Sequence, residues 1–135
     1  MFTKILCVDD DAITLMLCKK VIAKAEFSSE IDTSNNGEEA LKYFENLKKE
    51  KEANNEILEP QLIFLDLNMP IMNGWEFLDI FSKSDYYTIF PEVKVIVLSS
   101  TIDPRDIEKA KQYPMVLNFL SKPITIEMLK SINIK

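Results

Sequence analysis

Leu62-Ile63-Phe64-Leu65-Asp66-Leu67-Asn68-Met69-Pro70-Ile71-Met72-Asn73-Gly74 holds a strand, a turn and the start of a helix in one stretch. Leu62 to Leu65 is apolar without alternation, which reads as a strand covered on both faces. Asp66 ends the run. Met69-Pro70 through Asn73-Gly74 carries the turn formers, and Trp75 to Lys83 then has helical spacing that turns Phe77, Leu78 and Phe81 inward.

Working outward, the same alternation recurs. On the N-terminal side, Lys4-Ile5-Leu6-Cys7-Val8 is a short apolar strand running into Asp9-Asp10-Asp11. Ile13, Leu17 and Val21 follow at helical spacing, joined by Cys18, Ile22 and Ala25, with Asp11 as the N-cap. Glu30 to Thr33 is a weaker, partly polar strand. Asn35-Asn36-Gly37 breaks the chain, and Glu38 to Asn46 forms a helix with Ala40, Leu41 and Phe44 inward. Lys48 to Glu59 reads as a helix tail and solvated loop, with Lys48 to Lys51 on a solvated face. On the C-terminal side, Ser82 to Glu92 is a lengthened connection, with Tyr86-Tyr87 as loop packing. Val93 to Leu98 is the most strand-like run, and Pro104 opens a fourth helix to Gln112. Val116 to Leu120 is the fifth strand. Ile124 to Ile132 is the fifth helix, with Ile124, Met128 or Leu129, and Ile132 inward. Five strands in strict alternation with five helices predict an α/β fold: a doubly wound five-stranded parallel sheet with helices on both faces.

Composition narrows the function. The chain has 135 residues, 47% of them hydrophobic and 28% charged, which predicts one globular domain over 1–135 with no effector domain beside it. The net charge of −6 lacks the basic footprint of a nucleic-acid binder. With no long apolar run and no leader pattern, the expectation is a cytoplasmic protein without a membrane partner. Cys7 and Cys18 are read as buried, reduced thiols. Histidine is absent, so the chemistry must run on carboxylates, hydroxyls and lysines.

Ligands of open parallel sheets bind outside the carboxyl ends of the strands. There the first strand offers Asp9-Asp10-Asp11, the third Asp66, the fourth Ser99-Ser100-Thr101 and the fifth Lys122-Pro123. Two carboxylates 4 Å apart repel by about 4 kcal/mol at an effective dielectric of 20, so the acids need a cation, a shared proton or solvent between them. Oxygen ligands without histidine or thiolate point to a hard divalent ion, Mg²⁺. Metal, Lys122 and the Ser99 hydroxyl together make a receptacle for a phosphoryl group.

With these residues in place, the chain resembles the response-regulator receiver family of bacterial two-component signalling, of the stand-alone chemotaxis-regulator type, from Lys4 to about Leu129. The resemblance rests on Asp66 to Gly74, flanked in order by Val8-Asp9-Asp10, Asn36-Gly37-Glu38-Glu39-Ala40-Leu41, Leu98-Ser99 and Ser121-Lys122-Pro123. It implies a flavodoxin-like receiver fold in which Asp66 accepts a phosphoryl group from a phosphohistidine on a histidine kinase or histidine phosphotransfer protein. It further implies Asp10, Asp66 and the Asn68 backbone carbonyl as Mg²⁺ ligands, with Asp9 acting through water. Lys122 would pair with Asp66 and then with the phosphoryl oxygens, and Ser99 would swing toward the phosphoryl group. Phe119 holds the aromatic switch position, and the fourth helix, fifth strand and fifth helix would carry a downstream target or self-association. Such a domain is a phospho-acceptor and not an enzyme beyond its own phosphotransfer and dephosphorylation. Pro70 and Gly74 would shape the acceptor loop, glycine through its backbone freedom.

Three departures bear on output. The segments before the third and fourth strands are long, Tyr113-Pro114-Met115 replaces the small residues usual before the fifth strand, and Phe119 lacks the hydroxyl a tyrosine would have. Two rival readings are an aspartate-nucleophile phosphatase using Asp9 and Asp11, and a pseudo-receiver used unphosphorylated as an interaction module. The first leaves Asp66 to Gly74 without a role, and the intact acids, serine and lysine weigh against the second.

Overall fold

The computed structural model describes residues 2–54 and 56–132. The elements run β1 (Phe2–Val8), α1 (Ala12–Lys24), β2 (Ser28–Ser34), α2 (Gly37–Ala53), β3 (Leu62–Asp66), α3 (Gly74–Lys83), α4 (Tyr86–Ile89), β4 (Lys94–Ser99), α5 (Pro104–Ala110), β5 (Val116–Ser121) and α6 (Ile126–Ser131). The sheet is all-parallel in the order β2-β1-β3-β4-β5. The pleat divides the core in two. Leu6, Val8, Ile63, Leu65, Val95 and Val97 face Ala40, Phe44, Phe77 and Phe81 on one side. Ile5, Cys7, Leu62, Phe64, Ile96 and Leu98 face Leu15, Cys18, Ile22 and Leu129 on the other. Both cysteines are buried and free. No helix among the described residues is long and apolar enough to cross a membrane.

Strict alternation is corrected at one place: α3 and α4 both lie between β3 and β4. The long segment read as a loop turns helical at Tyr86 because the Ser84 hydroxyl accepts the Tyr86 N–H at 3.2 Å, while Tyr86 packs on Phe81 and Phe90 on Phe44. The helices expected fourth and fifth are therefore α5 and α6. They are also shorter than expected, because Lys111 and Gln112 turn out of α5 and Thr125 caps α6 from the Met128 N–H.

The buried stripe of α1 is Leu15, Cys18 and Ile22, while Ile13 and Leu17 are 65% and 45% exposed. These two lie about half a turn around the helix from Leu15, so the expected Ile13–Leu17 face looks outward. Nor is every strand covered on both sides. β2 and β5 are the edges, and Leu117 and Asn118 of β5 are exposed. Lys48 and Lys51, expected to be merely solvated, pair with Asp85 at 2.7 Å and Glu59 at 3.0 Å.

Candidate functional site

Parallel register brings four strand ends to one rim. Val8 pairs with Leu65, Asp66 with Leu98, and Ser99 with Ser121, so Asp9, Asp66, Ser99 and Lys122 arrive together. Local hydrogen bonds then set each group. Asp9 Oδ1 accepts the Asp11 N–H at 2.9 Å, and Asp11 caps α1 from the Ile13 N–H. Asp66 Oδ1 accepts the Asn68 N–H at 3.3 Å. Ser99 Oγ accepts the Thr101 N–H at 3.3 Å, and the Ser99 carbonyl accepts the Lys122 N–H at 2.8 Å.

At the centre stands the Lys122 ammonium, 2.6 Å from Asp9 Oδ2 and 3.2 Å from Asp66 Oδ1. The expected partner was Asp66; the shorter contact is to Asp9. Asp9 and Asp66 are each 4% exposed and Ser99 is 2% exposed, whereas Asp10 opens to solvent. Burial raises the Asp66 pKa, as does the neighbouring Asp9 charge, and Lys122 offsets part of this. Burial pulls the Lys122 pKa down, but its bonds to Asp9 and Asp66 outweigh that and hold it above the ordinary lysine value.

Asp9, Asp10 and Asp66 each present a carboxylate oxygen within 4.8 Å of the others. Three negative charges against the single ammonium leave a surplus of two (3 − 1), the charge of one divalent cation. An all-oxygen donor set with a partly solvated member fits Mg²⁺, which keeps several waters when it binds.

The loop after Asp66 differs from expectation in its mechanics. Gly74 has no left-handed backbone; Ile71 takes that conformation, with φ of 71°. Gly74 is needed for space, since a Cβ there would stand 2.5 Å from the Asp66 carbonyl oxygen. Phe119 is half-buried against the aromatic core and lines a cavity of about 180 Å³ with Ile107, Ala110 and Val116. A further feature was missed in the sequence. Ile13, Ile71 and Ile102, each in or beside a loop at the acid rim, are 65%, 75% and 58% exposed. Ile71 and Ile102 carry a signal, because no periodic face claims an apolar residue in a loop; Ile13 does not, since it falls at helical spacing with Leu17 in α1.

The response regulator receiver domain model matches residues 5–133. A two-component response regulator from Cytophaga hutchinsonii superposes with a TM-score of 0.81 at 32% identity, covering 96% of this chain and 92% of that one. The chemotaxis protein CheY of Thermotoga maritima is 31% identical over 97 residues, covering 72% of this chain and 67% of its own. A protein-glutamate methylesterase/protein-glutamine glutaminase of Bacillus licheniformis is 33% identical over 130 residues, 94% of this chain, which spans only 32% of that protein.

Proposed function

Because the chain belongs to the response regulator receiver family, we propose that residues 1–135 act as one receiver unit in which Asp66 accepts a phosphoryl group from a partner phosphohistidine. An Asp66 carboxylate oxygen attacks phosphorus, the P–N bond to the donor imidazole breaks, and its electron pair stays on the nitrogen, which takes a proton from solvent. One observation supports this most: Asp66 is buried beside a lysine and two further acids, at the end of a strand. A carboxylate so placed is a nucleophile held in position, and in-line transfer depends mostly on positioning and charge neutralisation.

The other residues serve that step. Lys122 moves from its bridge between Asp9 and Asp66 to the incoming phosphoryl oxygens. Ser99 donates its hydroxyl to the same group. Asp10, Asp66 and the Asn68 carbonyl would hold Mg²⁺, with Asp9 acting through water. When bound, the ion supplies positive charge to the transferring oxygens. Asp9 is engaged twice, by Lys122 and by the Asp11 N–H, which favours its outer role. The chain's own chemistry ends at phosphotransfer and dephosphorylation.

Exposed Ile13, Ile71 and Ile102 around the acids favour a protein as donor, since apolar side chains at the rim give a docking partner something to cover. A histidine kinase or phosphotransfer protein meets that description, and such partners place the chain in the cytoplasm. Output runs through α5, β5 and α6: as Ser99 moves, Phe119 turns inward and changes the partner or self-association of that face. The phosphatase reading loses ground at Asp11, whose carboxyl is held below the usual range by the Ile13 N–H and the Thr14 hydroxyl and is a poor proton donor.

Incubation with acetyl phosphate and Mg²⁺, read by intact mass, tests the proposal. The parent should gain one phosphoryl group and Asp66→Asn none. Full labelling of Asp66→Asn would refute it.

A further inference from the structure

Resting on the reading of Asp66 as phospho-acceptor, we propose that Trp75 and Tyr113 form an aromatic clasp that carries a change at Asp66 through α3 to the α5–β5 corner. It is a second route, separate from Ser99 and Phe119.

The near end of the clasp is seated on the acceptor strand. The Gly74 N–H donates to the Leu67 carbonyl at 3.0 Å, and the missing Cβ lets the first turn of α3 lie against the Asp66 backbone. That turn is closed by a reciprocal cap between Asn73 and Glu76, so α3 starts without slack. Trp75 is the next residue.

The far end grips the corner from three directions. Trp75 and Tyr113 stack with ring centroids 6.1 Å apart and planes 26° from parallel. The Lys109 ammonium of α5 sits 4.6 Å from the centroid of the Trp75 ring. The Tyr113 hydroxyl donates to the Asp79 carboxylate, and Asp79 shares a face of α3 with Trp75 at a spacing of i,i+4. Tyr113 is tied to both elements it joins: its N–H donates to Ala110 of α5 at 3.1 Å, and its carbonyl accepts the Val116 N–H of β5 at 3.0 Å. Trp75, Tyr113 and Phe119 all pack on the same core. A shift of α3 at Gly74 therefore moves a ring bonded to the start of β5. This also gives Tyr113 a purpose in a turn where the family usually has small residues, and it needs no hydroxyl at position 119.

Hydrogen exchange over residues 104–121, on the full chain with Mg²⁺ alone and with Mg²⁺ plus beryllofluoride, tests the clasp. Acetyl phosphate labelling of each variant is followed in parallel. Trp75→Leu should label as the parent does, while its exchange response falls about fivefold, the low end of couplings between sites. Tyr113→Phe keeps the stack, loses the bond to Asp79, and should respond in between. A labelled Trp75→Leu that responds like the parent overturns the clasp; if that variant does not fold, a parental response in Tyr113→Phe does so. A parent that takes no phosphoryl group fails the acceptor reading instead, and the relay falls with it.

Discussion

Lys122 and Lys51 are both lysines drawn into the fold to meet carboxylates, and they end in opposite situations. Lys51 of α2 is 3.0 Å from Glu59, donates to the Ile89 carbonyl at 2.9 Å and lies 5.2 Å from the Phe90 ring centroid. One acid, one carbonyl and one aromatic face use up its charge and donors, and the result fastens α2 to the β3 and β4 approaches. Lys122 faces Asp9 and Asp66 at once, with Asp10 within reach of both acids. There the negative charge exceeds the positive, inside a pocket where burial makes each charge costly. A balanced cluster holds structure together; an unbalanced one keeps charge to spare for a ligand.

That contrast can be broken most sharply at Lys122. Lys122→Met leaves Asp9 and Asp66 buried and unpaired, and urea unfolding at neutral pH should show a loss of about 3 to 5 kcal/mol. Millimolar Mg²⁺ should restore part of it. An unchanged midpoint would mean that the acids were never strained. Next in size, saturating Mg²⁺ should stabilise the parent by about 2 to 3 kcal/mol at a hundredfold excess over its dissociation constant. Asp10→Ala should lose most of this gain, and a variant that keeps it would remove Asp10 from the ligand set. Lys51→Met should cost about 1.5 kcal/mol, the low end for a hydrogen bond to a charged group, because the pair is part-exposed, with no recovery in Mg²⁺. A recovery equal to that of Lys122→Met would erase the distinction.

The smallest effect belongs to the exposed Lys48–Asp85 pair, the outer neighbour of the Lys51 cluster. Its bond to Lys48 holds the Asp85 carboxyl below the ordinary range. The stability this contributes is present above the unfolded carboxylate value of about 3.9 and is lost as pH falls through the lower folded value. Asp85→Asn should therefore differ from the parent at neutral pH and converge with it in acid, and salt should shrink the difference.

The acid pocket was legible because it follows from topology. Once the strands are parallel, their carboxyl ends share a rim, and Asp9, Asp66, Ser99 and Lys122 need only terminate their strands. The aromatic core was legible too, since α2 and α3 each carry a dominant apolar stripe. α1 was legible only in part: Cys18 and Ile22 were expected on the packed face and are buried, but Ile13 and Leu17, expected beside them, look outward, since helical spacing cannot choose between two apolar faces. The preference of Lys122 for Asp9 depends on side-chain reach across the pocket. The partners of Lys51 lie 8 and 38 residues away, beyond any local pattern. Gly74 was rightly singled out for the wrong cause, since close approach leaves no trace in the sequence that differs from backbone freedom.

If the surplus charge at the rim serves a covalent site on Asp66 and on no other acid, the modified residue can be located directly. Borohydride reduction after acetyl phosphate and Mg²⁺ treatment converts an aspartyl phosphate to homoserine, which peptide sequencing by mass spectrometry can place. Homoserine is expected at position 66 alone, with Asp9, Asp10 and Asp11 intact. Homoserine at position 9, with Asp66 unmodified, would contradict it.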